Sequence, residues 1–215
     1  MNLNNQQNLT AFFSTYSTRR LKKGEVIYKQ GEEVKYVGMI KSGYMRAFFE
    51  NKAGDELTLP VLNPLFYVTL ISTVLEKPTA YTLQAMTNTE VWLAPEAEFF
   101  EFFKKDLNLH MEVMKTILWG FSDLTVNMAR IMSGDAYERV ATTLDFIFHY
   151  YSQTEGGKKE LDLPLPHRLI GSMTGLSRET VTLQILKMTK KGIVSTKNRR
   201  IKLMSEEKLQ AATGR

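Results

Sequence analysis

Between about Leu21 and Leu93, short apolar runs alternate with turn signals. The turns are marked by KKGE, QGEE, KSG, KAGD, NP and EKP, and the runs between them are EVIYK, YVGMI, YMRAFFE, ELTLPVL, YTLQAM and EVWLA. The runs are rich in β-branched and aromatic residues, and turn signals return roughly every 8–12 residues, as in all-β domains. The pattern therefore predicts a sandwich or barrel of short strands.

The pattern changes after Pro95, because residues 96–132 contain no proline and a single glycine and so can carry a long helix. Within this segment, residues recur at alternating spacings of four and three, and we call them the heptad seam: Leu107, Met111, Met114, Leu118, Phe121, Thr125, Met128 and Met132. Such a repeat over more than three heptads predicts a coiled coil between two copies of the chain. A single amphipathic helix on the β domain is the alternative, and both can hold at once.

A break follows at Ser133-Gly134-Asp135. Asp135 and Glu138 have the spacing of a capping box, so a new helix is expected to begin here and to continue to Tyr151. We place a hinge at this break. The predicted domains are a β domain over 1–105, a dimerisation helix with the hinge over 106–134, and a C-terminal domain over 135–215.

The C-terminal domain contains LPLPHRLIGSMTGLSRETVTLQILKMTKKGIVSTKNRRIKLM. Pro166 can begin a short helix through Met173, and Gly175 allows a left-handed turn after it. Ser177 can then cap a second helix, which runs to about Lys190. IVSTKNRRIKLM predicts two strands about a Lys-Asn turn. Two helices joined by a short glycine-containing turn and followed by a basic hairpin predict a winged helix-turn-helix.

Composition narrows the class of protein. The chain has 215 residues, 43% of them hydrophobic and 24% charged, and no cysteine, which excludes disulfides, iron–sulfur ligation and thiol redox switching. No apolar run approaches the roughly 20 residues that a membrane span needs, and MNLNNQQNL does not resemble a signal peptide. We therefore expect a cytoplasmic protein without a membrane partner.

Charge is distributed unevenly along the chain. The net charge is +5, yet from Tyr137 onward Lys and Arg outnumber Asp and Glu by 14 to 8, while the rest of the chain is almost balanced. A basic module attached to a neutral one suggests a polyanionic partner, most often nucleic acid, although a merely soluble basic surface is the alternative.

The second helix of the motif indicates how this basic domain would recognise DNA. It would enter the major groove with its N-terminus first, so that Arg178 can donate to guanine O6 and N7 while Glu179 accepts from cytosine N4. Such a pair suits a G·C step. In the alternative, Arg178 and Glu179 pair with each other or stay solvated, since winged helices also bind protein or RNA.

These features together resemble the Crp/Fnr family of bacterial transcription regulators, from about Leu9 to Leu209 and most specifically in G-x-SRETV-x₃-ILK. The resemblance implies an α+β fold with an N-terminal β-roll (a double-stranded β-helix, jelly-roll-like), a long dimerisation helix and a C-terminal winged helix-turn-helix. It makes Arg178 and Glu179 the base-reading pair, and Ser177 and Thr180 the helix cap and phosphate contacts.

The resulting candidate DNA contacts form two groups. The base-reading candidates are Arg178, Glu179, Thr182 and Leu183. The phosphate candidates are Arg168, Ser177, Thr180, Lys187, Lys197, Arg199 and Arg200, with Lys190 and Lys202 also suited to phosphate. These contacts would supply most of the affinity and its salt dependence but no sequence information.

The recognition helix departs from the family at two positions. The family's next reading position is usually arginine, and Leu183 stands there; leucine can contact only a thymine methyl group. Gln184 stands where the family usually has an apolar residue. We expect an operator that differs from the family's common half-site at the base pair facing Leu183.

The β domain also departs from the family's cyclic-nucleotide members. Their phosphate cassette has Gly-Glu-Leu followed about ten residues later by Arg, whereas LNPLFYVTLISTVLEKPTAYTLQAM has no Gly-Glu and places Thr79 at the arginine position. Binding of a cyclic nucleotide in the usual way is therefore not expected. Neither is a cofactor or a metal, since His110 is the only histidine of the β domain and its long helix.

A different effector could bind in an apolar or aromatic pocket. Family topology suggests a lining of Phe66, Tyr67, Thr79, Tyr81, Trp119, Leu124 and Thr125. In the alternative, these aromatic residues are simply core.

The leading hypothesis is a homodimeric transcription regulator that binds double-stranded DNA at a palindromic operator. An unknown small-molecule effector would control it, and RNA polymerase is a further candidate partner. The alternatives are a sensor that acts by protein contact and a cyclic-nucleotide regulator with an atypical pocket. An enzyme is the weakest hypothesis, because the sequence shows no nucleophile–base pair, metal-ligand spacing or phosphate loop.

Overall fold

The computed structural model describes residues 3–155, 158–161, 163–197 and 200–214. By its internal contacts the chain divides into two compact units, Met1–Phe121 and Ser122–Arg215. None of the described helices is long and apolar enough to cross a membrane.

The first unit is built on eight strands within its described residues. They are β1 (Thr18–Leu21), β2 (Val26–Tyr28), β3 (Tyr36–Ser42), β4 (Met45–Glu50), β5 (Glu56–Leu62), β6 (Tyr67–Val68), β7 (Thr82–Ala85) and β8 (Thr89–Pro95). Each of the six predicted runs overlaps one of these strands. Sheet A has the order β1-β8-β3-β6 and sheet B the order β2-β7-β4-β5, with antiparallel pairing throughout both. The predicted β-roll is confirmed.

Two apolar clusters hold this unit together. The inter-sheet cluster takes side chains from all eight strands: Leu21, Ile27, Ile40, Met45, Ala47, Leu62, Val68, Leu83, Ala85 and Val91. The helix-side cluster covers the other face of sheet A: Leu9, Phe13, Val37, Met39, Tyr67, Leu70, Trp92, Ala94, Phe99, Leu109 and Val113. Because side chains alternate along a strand, Val91 enters the first cluster and Trp92 the second.

Four helices accompany the sheets: α1 (Leu3–Ser14), α2 (Leu70–Val74), α3 (Glu96–Phe103) and α4 (Leu107–Ser133). The sequence allowed one long helix over 96–132, but the structure has two. Asp106 accounts for the break, because its Oδ1 accepts from the backbone N–H groups of Asn108 (2.9 Å) and Leu109 (3.2 Å) and so starts a new helix.

The second unit contains the predicted winged helix-turn-helix. Its elements are α5 (Ala136–Tyr151), β9 (Ser152–Glu155), β10 (Lys158–Leu161), α6 (His167–Thr174), α7 (Arg178–Lys190), β11 (Val194–Lys197), β12 (Arg200–Leu203) and α8 (Glu206–Ala211). The capping box is confirmed: the Asp135 side chain accepts from the N–H of Glu138, and Glu138 accepts from the N–H of Asp135. The predicted domain boundaries at 105/106 and 134/135 stay predictions.

Gly171 on α6 lies against the turn that leads into α7. A Cβ there would lie 2.6 Å from the backbone oxygen of Leu176, in the turn between the two helices. Glycine is required at this position because there is no room for a side chain, and not because the backbone is in a left-handed conformation.

We expect Gly171→Ala to lower the free energy of unfolding by about 2 kcal/mol or more, because a backbone carbonyl must move to admit the methyl group. Gly120→Ala is the matched control, since no atom lies within 4 Å of a Cβ built on this helical glycine. It should leave stability unchanged or raise it by about 0.5–1 kcal/mol. Urea unfolding followed by circular dichroism measures both. Equal losses would contradict the packing argument.

Candidate nucleic-acid interface

The turn before α7 fixes where that helix begins. Gly175 ends α6 with φ of +69°, and the N–H of Leu176 donates to the carbonyl of Gly171 at 3.1 Å. The hydroxyl of Ser177 then accepts from the N–H of Thr180 at 3.1 Å. Both predicted roles, the left-handed Gly175 and the capping Ser177, are confirmed. The first turn of α7 is therefore held at a defined place after α6.

The buried side of α7 decides which residues face outward. Val181, Ile185 and Met188 are buried at helical spacing, and α5 and α6 pack against α7. Burial of each such side chain contributes roughly 1.5–3 kcal/mol. Gln184 is also buried, and its Oε1 has no hydrogen-bond partner among the described residues.

The opposite side of α7 carries the candidate reading residues. Arg178, Glu179 and Leu183 are exposed, and Leu183 has 59% of its surface in contact with solvent. Across the described residues, no ion pair or hydrogen bond occupies the side chain of Arg178 or Glu179, so the two do not pair with each other. The guanidinium of Arg178 and the carboxylate of Glu179 are therefore free to bind a partner, at the positive end of the helix dipole.

Thr182 is placed differently from the other reading candidates. Its hydroxyl donates to the carbonyl oxygen of Arg178 at 2.8 Å and lies 2.8 Å from Nδ1 of His167. Burial, with a smaller contribution from Arg178, lowers the pKa of His167 below its ordinary value. Sequence reasoning missed His167; its signal was its position directly after Pro166, where α6 begins.

The described phosphate candidates lie on α6, on α7 and its cap, and in the wing, the hairpin of β11 and β12. Arg168 on α6, Lys187 on α7 and Arg200 on β12 are exposed. The hydroxyls of Ser177 and Thr180 lie 3.0 Å apart within the helix cap. The backbone of Lys197 pairs with Arg200 in the wing hairpin, but its side chain is outside the described set, and Arg199 lies outside the described residues altogether.

The pocket candidates of the first unit do not share one cluster. Tyr67 lies in the helix-side cluster, with its ring 6.3 Å from those of Phe13 and Phe99, whereas Tyr81 packs against the inter-sheet cluster. The Tyr67 hydroxyl is buried without a hydrogen-bond partner among the described residues, and burial raises its pKa.

The remaining pocket candidates have diverse surroundings. Thr79 is buried, and its hydroxyl donates to the carbonyl of Tyr81 at 2.8 Å. Phe66 is 41% exposed and Trp119 69% exposed. Leu124 and Thr125 belong to the second unit. The pocket stays a prediction.

The described residues also contain no group of three or more His, Asp or Glu side chains that could hold a metal ion.

Helix α4 has one buried side and one exposed apolar side. Leu109 and Val113 are buried in the helix-side cluster. The heptad seam is turned away from it, and its apolar members are exposed: Leu107, Met111, Met114, Leu118, Phe121, Met128 and Met132. Thr125 is exposed as well.

Comparison with known proteins agrees with this architecture. A model of the cyclic nucleotide-binding domain matches residues 18–106, and a model of the Crp-like helix-turn-helix domain matches residues 138–212. The transcriptional activator protein FnrA of Stutzerimonas stutzeri is 26% identical to this chain over 91% of the chain and 80% of its own length.

Solved structures show the same fold. FixK2 from Bradyrhizobium japonicum superimposes with a TM-score of 0.80 at 22% identity, over 92% of this chain and 96% of its own. A CooA mutant from Carboxydothermus hydrogenoformans gives a TM-score of 0.77 at 22% identity, over 94% of this chain and 90% of its own.

The two family models describe the two parts of the structure in chain order. The β-roll matches the first, and the capped recognition helix with its turn and wing matches the second. The chain is therefore a regulator and not an enzyme: it belongs to the Crp/Fnr family of transcription regulators and carries that family's helix-turn-helix DNA-binding domain.

Proposed function

We propose that the protein acts as a homodimer that binds a palindromic operator and responds to a signal received by the β-roll. The observation that carries the proposal is the exposure of Arg178 and Glu179 on the first turn of α7. Among the described residues, neither side chain has a hydrogen-bond or ion-pair partner, so both can bind a base. Two such helices, related by a two-fold axis, would enter successive major grooves about one helical turn apart.

Arg178 and Glu179 are the base-reading residues of this proposal. The guanidinium donates two hydrogen bonds to guanine O6 and N7, and the carboxylate accepts from cytosine N4. Arg168, Lys187 and Arg200 are exposed cations on α6, α7 and the wing, and they would hold the flanking phosphates. Lys197 and Arg199 belong to the same basic hairpin in the sequence.

Leu183 changes what the next position can recognise. It is exposed on the same side of α7 as Glu179, and Leu186 is exposed one turn further on, at 51%. Neither side chain can form a hydrogen bond to a base. We infer that this part of the helix favours thymine, whose methyl group protrudes into the major groove.

The dimer would form along α4. Six apolar seam residues from Met111 to Met132 are exposed, and burying them against a second copy would remove that surface from water. Leu109 and Val113 on the other side already anchor the helix on its own β-roll. One helix can therefore serve both contacts.

The signal is not expected to be a cyclic nucleotide bound in the usual way. The position of the phosphate-binding arginine is occupied by Thr79, which is buried and whose hydroxyl already donates to Tyr81. A signal in the β-roll would shift the conformational equilibrium of the hinge at Ser133–Asp135. This shift would change the spacing of the two recognition helices.

Arg178→Ala should reduce the preference for operator over random DNA by roughly tenfold or more, because a bidentate base contact is worth about 1–3 kcal/mol. Lys187→Ala is the matched change on the same helix. It should weaken operator and random DNA about equally and reduce the salt slope by about one unit. Fluorescence anisotropy titrations at several salt concentrations measure both. Equal loss of preference in the two variants would contradict the assigned roles.

Replacing thymine by uracil at the base pair facing Leu183 should weaken operator binding by about fourfold, because it removes one buried methyl group. Leu183→Ala should bind the thymine and uracil operators equally well. Competition binding with the two duplexes measures the difference. A loss that persists undiminished in Leu183→Ala would show that another residue contacts the methyl group.

Leu118→Glu should convert the dimer to monomers, because two carboxylates would face each other across the heptad seam. Thr116→Glu is the control: Thr116 is exposed, lies two residues away and so points to the opposite side of α4. Sedimentation velocity distinguishes the states. A dimer that survives Leu118→Glu would refute the seam.

A further inference from the structure

His167 lies at the first position of α6 and contacts Thr182 in the second turn of the recognition helix α7. Its Nδ1 is 2.8 Å from the hydroxyl oxygen of Thr182, and its ring is partly buried. No element of the DNA-binding mode proposed above uses this histidine. The contact places a titratable imidazole next to Arg178, whose carbonyl oxygen binds the same threonine hydroxyl.

The hydrogen bonds assign the tautomer of His167. The hydroxyl of Thr182 has one proton, and it donates that proton to the carbonyl oxygen of Arg178 at 2.8 Å. Both contacts are hydrogen bonds at the same time only when Nδ1 carries a proton and donates it to the hydroxyl oxygen, so this tautomer of the neutral ring is the one that satisfies all three groups. Nε2 is then the unprotonated nitrogen and the atom that takes up the next proton.

The charged surroundings are mostly basic. The charged residues on α6 and on the helices packed against it are Arg168 on α6, Arg178, Glu179, Lys187 and Lys190 on α7, and Glu138, Arg139 and Asp145 on α5. Of these, Arg178 acts on the imidazole, and together with burial it keeps the pKa of His167 below its ordinary value. In the free protein the ring is therefore neutral near neutral pH.

We propose that Nε2 of His167 contacts a DNA phosphate and that DNA binding takes up a proton there, so that affinity rises as pH falls. This rests on the DNA-binding mode proposed above. His167 directly precedes the exposed Arg168, and through Thr182 it is linked to the backbone of the exposed Arg178; in the proposed binding mode both arginines face the duplex. A phosphate beside the ring favours the imidazolium and forms a charge-assisted hydrogen bond with its second N–H.

The direction of the effect follows from the two states. The phosphate raises the pKa of His167 in the complex, whereas burial and Arg178 lower it in the free protein. Between these two values the complex holds one proton more per subunit. As pH falls below the pKa of His167 in the complex, affinity therefore increases, by at most about tenfold per pH unit for each subunit. Below the pKa of His167 in the free protein, affinity levels off.

The test is the pH dependence of duplex binding by the full-length protein at constant salt. Wild type should bind roughly fivefold or more tightly at about pH 5.5 than at about pH 7.5. His167→Gln keeps an N–H donor for Thr182 but cannot titrate, so its profile should be nearly flat. His167→Arg should bind at about pH 7.5 nearly as tightly as wild type does at the lower pH.

His149→Gln is the matched control, because His149 is an exposed histidine of the same unit, at the end of α5. It should retain the wild-type pH profile. A second readout is the imidazole NMR titration of His167, whose pKa should rise on addition of duplex DNA. A His167→Gln variant with the wild-type pH profile, or a pKa that does not rise, overturns the proposal while leaving DNA binding intact. Wild type that binds no duplex at any pH overturns the proposed function together with it.

Discussion

The orientation of α7 is the constraint on which the DNA-binding surface depends. Val181, Ile185 and Met188 bury one side of the helix, and the hydroxyl of Ser177 fixes where it starts. Once that side is buried, helical geometry leaves Arg178 and Glu179 facing outward. Gly171 permits this arrangement, because any larger residue would collide with the turn that aligns the two helices.

In the first unit, too, the burial of apolar side chains fixes how the elements are oriented. The central strands of sheet A, β8 and β3, are buried on both faces, so β8 sends Val91 to the inter-sheet cluster and Trp92 to the helix-side cluster. The helices that cover sheet A include α4, whose Leu109 and Val113 join that second cluster. The helix that carries the heptad seam is thus packed directly on sheet A of the β-roll. In the dimer proposed above, one helix would make both the dimer contact and the β-roll contact, and a signal would then have a short physical route between them.

The sequence predicted those parts of the fold whose causes are local. Gly175, Ser177 and the Asp135–Glu138 capping box each act over a few residues, and each is found as expected. Strand β6 has only two residues, and β1, TRRL, has a mostly exposed pattern, so neither gave a recognisable signal. Helix α1 begins with a polar stretch, and Leu9, Phe12 and Phe13 at helical spacing mark the side that it buries.

The exposure of the reading candidates was predictable, because it depends on each residue's own position in the motif. Arg178, Glu179 and Leu183 are all exposed on α7, as the motif implied. The contact between His167 and Thr182 joins residues on two helices, and no spacing along one helix indicates it. The pocket expectation depended on long-range packing in the same way, and the structure puts Tyr67 and Tyr81 into different clusters.

The most direct test of the account is selection of bound sequences from random duplex DNA by the purified full-length protein at moderate salt. The account predicts enrichment of a palindrome with a G·C pair at the position that Arg178 and Glu179 contact, and with thymine favoured at the pair facing Leu183. The selection is run both with and without cell extract, so that a missing effector is supplied. No enriched motif under either condition would contradict sequence-specific operator binding.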